Sequence, residues 1–204
     1  MIAIIDYGVG NLFSLLSSFK RIGAEAVVTS DKAEIEKADK IILPGVGAFQ
    51  DAAKKLRESG LDEVVKQQVK KGKLLMGICL GMQLLFEKSF EYGEHAGLGL
   101  LKGNIVPMQG YIKDGLKIPH IGWNALHFTR EHFLFKYLHE GDCAYFVHSY
   151  FAKDCQDSLI AEVEYDKLLT AAVAKDNVLG CQFHPEKSGD VGLNILRAFC
   201  ERKD

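Results

Sequence analysis

The first hundred residues alternate short, almost wholly apolar runs with longer amphipathic ones, and this alternation leaves few folds open. Residues 2–5, 26–28, 40–43 and 73–78 read as strands, while residues 12–22 place Leu12, Leu15, Leu16, Phe19 and Ile22 at helical spacing. A short helix is expected from Asp31, and helices across residues 49–70. Strands that are apolar at nearly every position have no solvent face, so they belong in a parallel sheet covered on both sides by helices.

The second half changes character. Residues 100–107, 119–128, 143–151, 159–165, 169–175 and 178–183 follow one another as strand-like runs with few helices between, and read as antiparallel additions or hairpins. Asp176 and Asn177, between two such runs, are a hairpin turn signal, and residues 191–200 close the chain as an amphipathic helix. The expected architecture is α/β in three layers, with a mostly parallel central sheet, helices on both faces and additional antiparallel strands in the C-terminal half. No repeat, low-complexity tract or linker interrupts it, so residues 1–204 are expected to form a single domain.

Composition narrows the partners. Lys plus Arg total 25 against 27 Asp plus Glu, a formal charge of −2, without the basic excess that a phosphate backbone demands. Nucleic acid is therefore not expected. No run approaches the ~20 apolar residues of a membrane span, and the opening MIAIIDYG has no basic leader pattern, so a cytoplasmic location is expected and no membrane. The five cysteines form no CxxC pair and the seven histidines no ligand spacing, which argues for reduced thiols and no metal.

Three segments could carry chemistry. GICLGMQ places Gly77 and Gly81 around Cys79 where an apolar strand meets a helical pattern. This GxCxG arrangement suits a nucleophile elbow, a sharp turn that lifts one side chain off the sheet while glycines permit close backbone approach. A thiol at a helix N-terminus is lowered from its usual pKa of about 8.5, which raises the thiolate fraction; the competing reading is a small buried cysteine between packing glycines. In CQFHPEKS, Pro185 keeps His184 extended, so His184 and Glu186 project to one side as a base and its orienting carboxylate. PGVG at residues 44–47 follows the third strand, where its backbone N–H groups could complement that of Leu80 in holding an oxyanion. DYGVGNL has Phe13 where a dinucleotide fingerprint needs its third glycine, so nucleotide binding is rejected. His120 and His148 compete as bases, but neither has a carboxylate two residues away, and both read as buried, hydrogen-bonded histidines.

Taken in order, PGVG, GICLGMQLLF and FHPEKS resemble the class I, triad-type glutamine amidotransferases, and DYGVGNL, PHIGWN and YFVHSY narrow the likeness to the glutaminase subunits of imidazole glycerol phosphate synthase. The resemblance implies that Cys79 attacks the glutamine carboxamide, His184 protonates the departing ammonia and Glu186 orients it. It implies an oxyanion backbone at Val46, Gly47 and Leu80, and head-group binding by Gln83 and Glu91. It implies no cofactor. It also implies a heterodimer with a (β/α)8 cyclase subunit, to which ammonia passes for synthesis of imidazole glycerol phosphate and AICAR in histidine biosynthesis, with Asn11, Trp123 and Lys187 in partner-facing motifs. Weak activity without the partner is expected, with the PGVG backbone as the switch. Other readings are a cysteine hydrolase on a similar sheet, a non-catalytic regulatory subunit, and a glutaminase whose ammonia serves another amidation.

Overall fold

A computed structural model describes residues 1–202. Nine strands make one mixed sheet, and its parallel half comes from the alternating part of the chain: β1 (Ile2–Ile5), β2 (Ala26–Thr29), β3 (Lys40–Leu43) and β4 (Leu74–Ile78). Four helices lie among these strands, α1 (Leu12–Arg21), α2 (Lys32–Lys37), α3 (Phe49–Glu58) and α4 (Leu61–Lys70). The helical stretch at 49–70 breaks at Gly60, whose φ of +66° is left-handed and cheap for glycine.

The one-turn helix α5 (Leu80–Gln83) follows β4, and the short strands β5 (Lys88–Ser89), β6 (His95–Ala96) and β7 (Asn104–Pro107) come next. Then come β8 (His120–Phe128), β9 (Cys143–His148), β10 (Tyr150–Lys153), β11 (Leu159–Tyr165), β12 (Lys167–Lys175), β13 (Val178–Cys181) and the last helix, α6 (Gly189–Glu201). The large sheet runs β2-β1-β3-β4-β13-β12-β11-β8-β9. Pairings from β2 to β13 are parallel and those from β13 to β9 antiparallel, so the sheet divides evenly, four pairings of each kind.

Alternate residues of the parallel strands feed two different cores. Ile2, Ile4, Ile42 and Met76 pack with Leu15 and Phe19 of α1 and Phe199 of α6, whereas Ala3, Ile5, Ile41 and Leu75 pack with Phe49, Leu56 and Val65 of α3 and α4. Both faces are therefore dry, which is why these strands carry no polar alternation. Each large side chain so buried contributes about 1.5–3 kcal/mol.

Two expectations need correction. The expected strand at 100–107 begins only at Asn104, because Leu98, Leu100 and Leu101 give their N–H groups to carbonyls of Leu84 and Leu85 instead. The run at 143–151 is two strands, since the chain crosses at Ser149 from the large sheet into a second, four-stranded one of order β10-β7-β5-β6. The turn at Asp176 and Asn177 is present, with Lys175 opposite Val178 and Asp176 at φ +53°.

Candidate active site

Cys79 directly follows β4 with φ +53° and ψ −112°, a conformation that non-glycine residues rarely hold and that stores roughly 1–3 kcal/mol of strain. Its neighbours explain how the turn closes. A Cβ on Gly81 would lie 1.9 Å from the carbonyl oxygen of Leu43, and one on Gly77 would lie 2.6 Å from that of Gly81. The backbone N–H of Cys79 donates to the carbonyl of Cys181 at 2.8 Å, which ties the elbow to β13. The sulfur remains at the cleft, with the residue 7% exposed.

Because β13 runs parallel beside β4, the residues just past its end arrive next to the elbow. His184 Nδ1 lies 2.8 Å from Glu186 Oε1, and both side chains are almost fully buried. Burial alone would draw this imidazole down, but hydrogen bonds to Cys79 and Glu186, with the charges of both, overcome it and raise His184 to about 10. With Nδ1 held by Glu186, Nε2 is the nitrogen left for the sulfur. Gln182, which sequence reasoning passed over, also reaches the site, its Nε2 donating to Cys79 Sγ at 3.7 Å.

On the other flank β3 pairs with β4, and residues 44–47 follow it to the same edge. The hydroxyl of Tyr7 donates to the carbonyl of Pro44 at 2.7 Å and pins the start of this turn. Burial, reinforced by Cys79, pushes the Tyr7 phenol well up, so it stays a donor. Gly47 has φ +94° and Val46 is 40% exposed, which leaves this segment loosely packed at its far end.

Cys79, His184, Val46, Gly47, Leu80, Gln83 and Glu91 line one cleft of about 480 Å³. Glu186 stands behind His184, outside the lining. Glu91 is braced at the start of α3, its Oε2 accepting from the N–H of Phe49 at 2.5 Å. Gln83 gives Nε2 to the carbonyl of Tyr150 at 3.2 Å and to Oε1 of Gln182 at 3.0 Å. The opposite wall comes from the antiparallel half and the small sheet, with Pro107, Gln109, His148, Ser149 and Tyr150. None of these stood out in the sequence except His148, which is buried and hydrogen-bonded as expected but faces the cleft as well.

Asn11, Trp123 and Lys187 fall on one side of the molecule. Asn11 precedes α1, which packs against the 185–187 turn carrying Lys187. Lys187 Nζ sits over the ring of Tyr145, which also meets Trp123 edge-on. Trp123 is 57% exposed and Phe13 83% exposed. Among the described residues no group of three or more His, Cys, Asp or Glu could hold a metal ion, and no helix is long and apolar enough to cross a membrane.

The family model "glutamine amidotransferase class-I" matches residues 3–202. The chain belongs to this family. Within it, the chain is 49% identical to an imidazole glycerol phosphate synthase subunit HisH of Lactococcus lactis, over 98% of both chains. It is 50% identical to the HisH subunit of Caldanaerobacter subterraneus, again over 98% of each, and 52% identical to that of Bacillus cereus, over 98% of this chain and 93% of the other. Solved structures share the fold at lower identity: a glutamine amidotransferase structure superposes with a TM-score of 0.75 at 22% identity, covering 98% of this chain and 99% of that one. The PurLQS structure from Thermotoga maritima gives 0.73, also at 22% identity, covering 97% and 96%.

Proposed function

We propose that this amidotransferase hydrolyses glutamine to glutamate and ammonia and passes the ammonia to a (β/α)8 cyclase subunit of imidazole glycerol phosphate synthase, in cytoplasmic histidine biosynthesis. The observation that carries this reading is the meeting of Cys79, His184 and Glu186 at adjacent strand ends, beside a cleft large enough for an amino acid.

The sulfur of Cys79 attacks the carboxamide carbon while His184 Nε2 holds the thiol proton. The negative oxygen of the tetrahedral adduct faces the N–H of Leu80 and the backbone of Val46 and Gly47. Collapse of the adduct breaks the C–N bond, and His184 gives its proton to the departing ammonia, leaving a glutamyl thioester. Water then attacks the thioester as His184 takes a proton from it, and returning that proton to the sulfur frees glutamate. An imidazole held so high by its two partners is well supplied with the proton that the amine's departure requires. Glu91 suits the substrate ammonium and Gln83 the rest of the head group.

Ammonia is mostly protonated in neutral water and then no nucleophile, so release into solvent would waste it. A partner seated on the face of Asn11, Trp123 and Lys187 would receive it dry. The Val46–Gly47 backbone, exposed and lightly packed, is the element such a partner would set into its oxyanion-holding position. The decisive experiment replaces Cys79 with Ala in the complex with the cyclase subunit. Turnover with glutamine should vanish while turnover with ammonium salt persists. Equal loss with both would indicate structural damage, and unchanged glutamine use would remove Cys79 from the mechanism.

A further inference from the structure

A buried row of polar groups, whose histidines the hydrolysis itself does not use, runs from β8 into the cleft. The carbonyl of Tyr150 lies 2.9 Å from His148 Nδ1, and since a carbonyl only accepts, that nitrogen carries the proton. Burial keeps the His148 ring neutral, holding it at about 4, so its Nε2 is an acceptor. Nε2 lies 3.1 Å from His120 Nδ1, which must then be the donor. His120 Nε2 is left to accept, and faces Asn124 Nδ2 at 3.5 Å, which also donates to the carbonyl of Glu164 at 2.7 Å. The His120 ring is stacked between Phe146 and Tyr165, at centroid distances of 5.1 and 4.2 Å. Neither histidine tautomer is free to change without leaving two donors or two acceptors facing each other.

The row continues on the cleft side. The second lone pair of the Tyr150 carbonyl accepts from Gln83 Nε2 at 3.2 Å, the other proton of that amide goes to Gln182 Oε1 at 3.0 Å, and Gln182 Nε2 reaches Cys79 Sγ at 3.7 Å. Two series of donors meet at the Tyr150 carbonyl, which accepts from His148 on one side and from Gln83 on the other, and from Gln83 donation runs on through Gln182 to the sulfur. Such satisfied networks in a dry interior hold one arrangement more firmly than their members would separately.

We propose that His148, locked in its tautomer by His120, is a positioning residue for glutamine hydrolysis: by donating to the Tyr150 carbonyl it keeps Gln83 and Gln182 in the orientation that serves the substrate and the sulfur. This rests on Cys79 being the nucleophile, as proposed above. The ring touches no reacting atom, and it acts through the two glutamines.

The test compares His148→Asn with His148→Gln in the complex with the cyclase subunit. An Asn amide can place a donor where Nδ1 now sits, whereas a Gln amide places its polar end further out, near the present Nε2, and leaves the Tyr150 carbonyl short of a donor. His148→Gln should lose at least about tenfold in kcat/KM for glutamine, and His148→Asn should recover to within about threefold of the parent. The rate at which an electrophilic glutamine analogue alkylates Cys79 should follow the same order, and ammonium-driven turnover should stay level in both. Equal kcat/KM for the two variants, or losses that simply track their melting temperatures, would overturn the proposal. If His148→Gln does not fold, His120→Asn against His120→Leu puts the same question one ring further out, with Asn again expected to be the better and equality again fatal. Glutamine turnover that survives Cys79→Ala would instead remove the mechanism beneath the proposal, which keeps the two failures distinct.

Discussion

The two halves of the large sheet do different work. The parallel half, β2-β1-β3-β4-β13, ends at one edge in the groups proposed to handle the covalent chemistry: the turn after β3, Cys79 after β4 and His184 after β13. The antiparallel half, with the small sheet, supplies the facing wall, the histidine row and the exposed Trp123 of the proposed partner face. Strand ends of a parallel sheet all point to one side, so reactive groups accumulate there without any special packing. Wall and row, by contrast, come from the ends of antiparallel strands and the crossover at Ser149, where a residue's role depends on which strand happens to lie opposite.

This division makes distinct demands on mutants. The largest effect belongs to the parallel edge: Cys79→Ala should reduce glutamine-dependent turnover by at least about a thousandfold, measured against ammonium-dependent turnover of the same complex. Glu186→Gln should lower kcat by between about a hundredfold and ten-thousandfold with little change in KM, because an amide facing Nδ1 favours the wrong tautomer. Steady-state kinetics on glutamine would show a large KM change instead if Glu186 served binding. Gly81→Ala should destabilise the fold by about 3 kcal/mol or more in denaturant titration, since its Cβ meets the backbone of Leu43 rather than a movable side chain.

Smaller effects are expected from the antiparallel half. Trp123→Ala should weaken binding of the cyclase subunit by about 2 kcal/mol, roughly thirtyfold, in a calorimetric titration, with the melting temperature of the isolated chain barely moved. His148 and His132 are both held down to about 4, His148 by burial and His132 by burial with Arg130 and Arg202 adding to it. The unfolded chain binds these protons at about 6.5 and the folded chain only near 4, so protonation favours unfolding. Stability should therefore fall as pH drops from about 6.5 to about 4, by up to about 1.4 kcal/mol per unit for the buried His148 and by less for His132, which solvent partly screens. Replacing both by Asn should flatten that limb, and an unchanged slope would show that other groups carry it.

Legibility follows the same division. The strands at residues 2–5 and 40–43 could be read because both faces are buried and the apolar run is continuous. The GxCxG elbow was legible because its requirement is local: glycines where backbone must touch backbone, at Gly77 and Gly81. The pairing of His184 with Glu186 was legible for a similar reason, since two residues apart on an extended stretch they share a side. Gln182 carried no such signal, because its approach to Cys79 spans 103 residues and exists only once β13 lies beside β4. The break at Ser149 was hidden too, as the run from Cys143 to Phe151 stays strand-like while the chain changes sheets.

The sequence by itself determined the elements of the parallel layer, the sharp turn at Cys79 and the local partnership of imidazole and carboxylate, because each depends on neighbours within a few residues. Only the tertiary structure decided that β3, β4 and β13 would stand side by side, and that His148, Gln83 and Gln182 would join in one row. The physical reason is that periodicity tells a strand which faces to bury but says nothing of which strand it will pair with, and that choice is made by the competition among all the surfaces the chain must cover at once.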